Sequence, residues 1–192
     1  MSITTENLSG LAPFEIAFAT APAGVSPAGG RPSSTWRLPL PWLHGPATET
    51  IFPETRSIGE VQGFSLFETD ELLVGYGAQP VAGAPAEAAR QLYSRLHVAA
   101  AGRPLYRVWN YVPAINAEVA GLENYRAFCV GRAQAFEAAH GSGFQQLLPA
   151  ASAVGCGGET LTAIFVAGRT RPRHVENPAQ VAAYHYPREH GV

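Results

Sequence analysis

A chain of 192 residues that is 46% hydrophobic and 15% charged can bury a core of its own as one domain. A net charge of −2 and a pI near 6.3 argue against nucleic acid or an anionic membrane as its main partner. Cys129 and Cys156 have neither CxxC nor zinc-finger spacing, so no disulfide scaffold or cysteine metal site is expected.

In chain order, residues 1–45 read as a loop-rich N-terminal arm. "APAGVSPAGGRPSS" and "RLPLPWLHGP" break every hydrophobic period with Pro and Gly. One strand is expected inside the arm at "FEIAFAT" (14–20), where apolar and polar residues partly alternate. Trp36 and Trp42 argue that part of the arm covers something. Regular structure is expected from about residue 60, in a domain spanning 46–192. "GFSLFET" (63–69) and "ELLVGYGA" (71–78) form two strands around an acidic turn at Thr69-Asp70. A helix follows, with Pro85 in its first turn and Gly102 at its end.

"PLYRVWNYVP" (104–113) is the next strand, rich in aromatic and β-branched residues, and Pro113 ends it. A second helix starts near Leu122 to Asn124 and stops at Gly141. Its apolar stripe is Leu122, Tyr125, Cys129, Ala133 and Phe136. "LLPAASAVG" and "TLTAIFVAG" then read as two strands in a hairpin closed by "CGGE". This order predicts an α+β domain: one mixed sheet with both helices on one face. The opposite face needs cover from the arm or from another subunit.

The longest apolar run, "LTAIFVAG", is too short to span a bilayer, and "MSITTENLSG" has no secretion-signal character. A cytoplasmic location is therefore expected.

Little of the usual catalytic vocabulary is present. The six histidines show no HxxxH or HExxH spacing, and GxSxG, P-loop and GxGxxG are absent. No metal site is expected. All 13 basic side chains are arginine, which a GC-rich genome or a use for bidentate guanidinium groups would both explain. On a helical wheel Arg132 lies roughly 50° from the centre of the expected stripe and Arg126 roughly 70° away on the other side. Two readings stay open. The arginines lay their stems along the core edge, or one of them joins Arg107 to anchor a carboxylate ligand or a buried acid such as Glu123. The C-terminal "HVENPAQVAAYHYP" is dense in hydrogen-bonding side chains. It is either a pocket wall or a segment packed on the domain edge.

The segments "RVWNYVPAIN", "LENYRAF", "GRAQAF", "LPAASAVG" and "HVENPAQVAAYHYPREHG", taken together and in this order, resemble the chorismatase family. The resemblance covers roughly residues 62–190. It implies a YjgF-like α+β fold, chorismate as the small-molecule substrate, no cofactor, and hydrolysis of the enol ether to pyruvate. The second product would be a dihydroxycyclohexadiene carboxylate or a hydroxybenzoate. It implies a substrate pocket to which Tyr184, Tyr186, Asn177, Arg107 and Arg132 contribute. Family members continue into a second half of related fold that carries the proton-donating glutamate. The chain is thus expected to correspond to the N-terminal half, completed by a complementing chain or by self-association. Ala179 stands where the family's "ENPxQ" pattern implies an arginine. A non-catalytic YjgF-like binding or scaffold subunit is the alternative.

Overall fold

The computed structural model describes residues 10–19, 35–173, 175 and 178–181. Its main sheet has eight strands: β1 (Leu11–Phe18), β2 (Thr35–Leu38), β3 (Thr48–Val61), β4 (Phe64–Glu68), β5 (Leu73–Pro80), β6 (Leu105–Pro113), β7 (Ala150–Cys156) and β8 (Thr160–Ala167). The strand order is β2-β1-β3-β4-β5-β8-β6-β7, antiparallel except for the β1–β2 and β6–β7 pairs. Helix α1 (Pro85–Ala99) follows β5, and α2 (Asn124–His140) links β6 to its parallel neighbour β7. A two-stranded ribbon, Glu118–Val119 with Leu122–Glu123, leads into α2.

This is the expected mixed sheet with both helices on one face. Leu92, Leu96, Phe128 and Phe136 from the helices share one core with Phe64, Val108, Leu161 and Phe165 from the sheet. The helices touch so closely that a Cβ on Gly131 would collide with the Ala86 carbonyl oxygen. Pro85 opens α1 and Gly141, at φ 77°, ends α2.

The opposite face is covered from the stretch expected to be a loop-rich arm. Phe14, Ile16, Trp36 and Leu38 of β1 and β2 pack with Phe67, Val74, Tyr76, Tyr111, Ile164 and Val166. Trp36 stacks on Tyr76 with ring centroids 4.0 Å apart. Their strands are four places apart, about 19 Å in a flat sheet. The sheet therefore folds over on itself and makes this face concave. The Gly157 amide donates to the Pro39 carbonyl at 2.8 Å, joining the chain after one edge strand to the chain after the other.

Three details differ from the sequence reading. Strand β3 begins 12 residues before the point where regular structure was expected. Pro53 disguises it, because proline removes a ladder donor; a register shift beside Phe52 absorbs it. The segments β7 and β8 form no hairpin, since β6 lies between them and pairs with both. Of the expected α2 stripe, Cys129 and Phe136 are buried, but Leu122 and Tyr125 are exposed, and the buried face adds Ala127, Phe128, Gly131 and Ala135. Close contact with α1 selects the small residues, which a hydrophobicity pattern underweights.

Candidate functional site

Alternation along β6 decides where its side chains can act. Val108 and Val112 join the helix-side core, while Trp109 and Tyr111 belong to the concave side. Asn110 faces the helices. Its Oδ1 accepts the Tyr93 hydroxyl at 2.8 Å, and its Nδ2 donates to the Ser152 carbonyl at 3.0 Å. Arg107 points to the concave side, with its guanidinium 5.3 Å from the Trp109 ring centroid and a 3.2 Å bond to Ser152 Oγ.

Arg132 lies across the sheet from Arg107. Its half-buried guanidinium faces Tyr93, Tyr125 and Cys129 on the helix side. The two arginines therefore do not converge on one ligand within this chain. Arg126 is half-buried in the first turn of α2. Tyr184, Tyr186 and Asn177 lie outside the described residues, and Ala179 is exposed. No cluster of three or more metal-ligating side chains exists among the described residues.

A shallow, open cleft of about 350 Å³ lies at the C-terminal ends of the parallel pair β6 and β7, where the edges of both cores meet. Pro41, the turn 114–117 and residues 155–157 line it. Two backbone features shape the walls. Ala114 sits at φ 44°, a left-handed conformation that a Cβ disfavours and that concentrates at functional sites. At Gly155 a Cβ would come within 2.6 Å of Ile115 Cγ2, so only glycine lets the two walls approach.

Cys156 joins the cleft to the concave core, where it neighbours Tyr76 and Tyr111. Burial pushes the Cys156 thiol up to about 11. Burial, then the Glu49 carboxylate, Cys156 and Tyr76, push the Tyr111 phenol up to about 12. Both groups are neutral at pH 7, so they act as polar contacts and hydrogen-bond donors, not as thiolate or phenolate nucleophiles. Among the described residues no charged side chain lines the cleft. The sequence reading missed this cleft, because small residues and backbone conformation form it. "GCGG" and the proline stop at Pro113 were its only traces.

A curled α+β sheet with an open cleft at the ends of its parallel strands defines the class. The chain belongs to the FkbO/Hyg5-like chorismatase N-terminal family, whose model matches residues 52–167. It is 40% identical over 138 residues to a chorismatase of Streptomyces hygroscopicus, an alignment covering 69% of this chain and 40% of that protein. It is 36% identical over 138 residues to a 3-hydroxybenzoate synthase of the same species, again covering 69% and 40%. A crystal structure of chorismatase matches with a TM-score of 0.77 and 32% identity, over 99% of this chain and 58% of that one. The chain spans about 40% of the length of the curated relatives it matches.

Proposed function

We propose that this chain binds chorismate and takes part in its hydrolysis to pyruvate and a dihydroxycyclohexadiene carboxylate or hydroxybenzoate, in secondary metabolism. The observation that carries the reading is the match to chorismatase along 99% of the chain. An open cleft within that shared fold supports it.

The chemistry sets what each group must do. The enol ether is opened by a proton delivered to its methylene carbon. Water adds to the resulting oxocarbenium carbon, and the hemiketal collapses, breaking the ether C–O bond to release pyruvate and the ring alcohol; a hydroxybenzoate requires that this dihydroxy diene then lose one water, which aromatises the ring. A positioned general acid supplies the proton. Among the described residues the walls of the cleft hold no carboxylate, so on this reading the acid comes from another segment, in the same polypeptide or in a partner copy. Tyr111 is placed to donate a hydrogen bond near Cys156. Arg107 carries a guanidinium on the concave side suited to a substrate carboxylate, but it lies about 20 Å along β6 from the cleft, so it would reach substrate only in a pocket that extends along that face. Tyr184, Tyr186 and Asn177 are proposed to complete the pocket; Arg132, on the helix side, would reach substrate only in a pocket shared with another segment. No cofactor is required by this chemistry. No helix among the described residues is long and apolar enough to cross a membrane, and a cytoplasmic location is part of the proposal.

The test is a pair of measurements on the purified chain: chorismate affinity by calorimetry, and pyruvate release corrected for spontaneous decay. Saturable binding is expected, with turnover where the acid-bearing segment is supplied. No binding, with or without that segment, would overturn the reading. Binding without turnover in every assembly would favour the non-catalytic subunit.

A further inference from the structure

The turn that forms one wall of the cleft is held by a single side chain. The Ala114 carbonyl accepts two hydrogen bonds, from the Ala117 amide at 2.8 Å and from Asn124 Nδ2 at 3.0 Å. The Ala114 amide donates to the Cys156 carbonyl on the opposite wall at 3.2 Å. The same turn caps the next helix. The amides of Asn124 and Tyr125, at the start of α2, donate to the carbonyls of Ala117 (2.8 Å) and Ile115 (3.0 Å). No side chain caps α2 in their place. Loop carbonyls take over the unsatisfied N–H groups of a helix start.

Asn124 is 7% exposed, and its Oδ1 is buried with no hydrogen-bond partner among the described residues. Glu123 holds the N-cap position and no side-chain bond caps the helix, so the side chain of Asn124 is not there to cap α2. An amide at this position is explained by its donor. Ala114 pays for its left-handed φ of 44° on every visit, and the penalty for a residue with a Cβ is similar in size to one hydrogen bond. Without Nδ2 the balance tips away from the turn that shapes the wall.

We propose that Asn124 is a positioning residue: its amide donor clamps Ala114 in the left-handed conformation and so sets the wall of the cleft, controlling the affinity of the ligand bound there. That the ligand is chorismate rests on the function proposed above; the clamp itself does not.

Asn124→Asp separates the donor from the helix. The carboxylate matches the amide in shape, suits a helix start and its dipole, and cannot donate to Ala114. Hydrogen exchange of the Ala117 amide, chorismate affinity and the thermal midpoint are measured for wild type and N124D between pH 5 and pH 8. At pH 8 the clamp predicts about tenfold faster exchange at Ala117 and about tenfold weaker binding, the effect of one hydrogen bond. The carboxylate is also buried against the Ala114 carbonyl, so the midpoint of N124D should fall at pH 8 and recover as the carboxyl is protonated, and the uncharged Asn124→Ser separates that cost from loss of the donor. As pH falls and the introduced carboxyl gains a proton, it regains an O–H donor, and the ratio of variant to wild type should narrow. A114G in the N124D background should also recover affinity and protection, since glycine adopts positive φ freely. Asn124→Ser, too short to reach the carbonyl yet a good helix-start residue, is the second variant should N124D not fold. Wild-type exchange at Ala117 in both variants would overturn the clamp. So would a pH-independent loss without rescue by A114G, which would mark Asn124 as merely structural. A wild type that binds no chorismate but shows the exchange pattern would overturn the proposed function and leave the clamp standing.

Discussion

The two faces of the sheet each leave a buried polar atom unpaired but differ in what holds their centres. On the helix side the chain of Tyr93 hydroxyl, Asn110 amide and Ser152 carbonyl is closed, while the Nε2 of His97, packed edge-on to Phe136, is buried without a partner among the described residues. On the concave side the indole N–H of Trp36 is buried without a partner among the described residues, while Tyr76 bonds the side chain of Thr162. A closed network in a dry interior fixes one arrangement, whereas unpaired donors in a buried setting carry a desolvation cost that only an additional partner offsets. The helix side centres on a closed amide network, the concave side on stacked and edge-on aromatic rings.

That contrast can be broken first on the helix side. Gly131→Ala drives a methyl group into the Ala86 carbonyl, and neither helix backbone can move without opening the shared core. We expect a loss of about 3 kcal/mol, read as a lower denaturant midpoint at unchanged slope; a loss below about 1 kcal/mol would mean that the helices slide freely.

Acid should act on the same side. Burial and then the neighbouring His140 hold His97 down to about 4, against 6.5 for a free imidazole. The unfolded chain thus binds the extra proton first as pH falls through 6.5. Stability is full above that value and is lost progressively toward pH 4, by up to about 3 kcal/mol. The closed network gives the third effect. Tyr93→Phe leaves Asn110 Oδ1 buried without its donor, for about 2 kcal/mol. His97→Phe should flatten the acid limb of the stability curve between pH 6.5 and 4; an unchanged limb would assign the acid sensitivity elsewhere.

How much of this was legible beforehand follows the same division. The helix side announced itself, because its strands and helices carry long apolar periods: β5 and β6 fall within two residues of the expected bounds, and α1 within three. The concave side did not. Its cover comes from β1 and β2, of which only one strand was visible inside a Pro- and Gly-rich stretch, and from β3, whose Pro53 and exposed pattern mimic a loop. The cleft was hidden for a different reason. Its walls are Ala114, Gly155 and Gly157, whose role is a backbone angle or a missing side chain, and neither has a periodicity. Arg107 and Arg132 were paired in the sequence reading because both border the same strand–helix junction. The parity of β6 and the side on which α2 packs then put the sheet between them.

The smallest effect is the sharpest test of the contrast. Tyr111 is 8% exposed, so its ring belongs to the concave core, and its hydroxyl makes no side-chain hydrogen bond among the described residues. Tyr111→Phe removes that hydroxyl and leaves the packing of the ring intact. On the helix side the equivalent change in Tyr93 orphans an acceptor; here nothing is orphaned. The expected change in stability is within about 0.5 kcal/mol of zero, measured by denaturant unfolding beside Tyr93→Phe. Chorismate affinity is the second readout, and a drop confined to Tyr111→Phe would place the hydroxyl against the ligand. If both variants instead lose about the same stability, the concave side is satisfied as fully as the helix side. The cleft would then have to draw its polar contacts from its backbone walls alone.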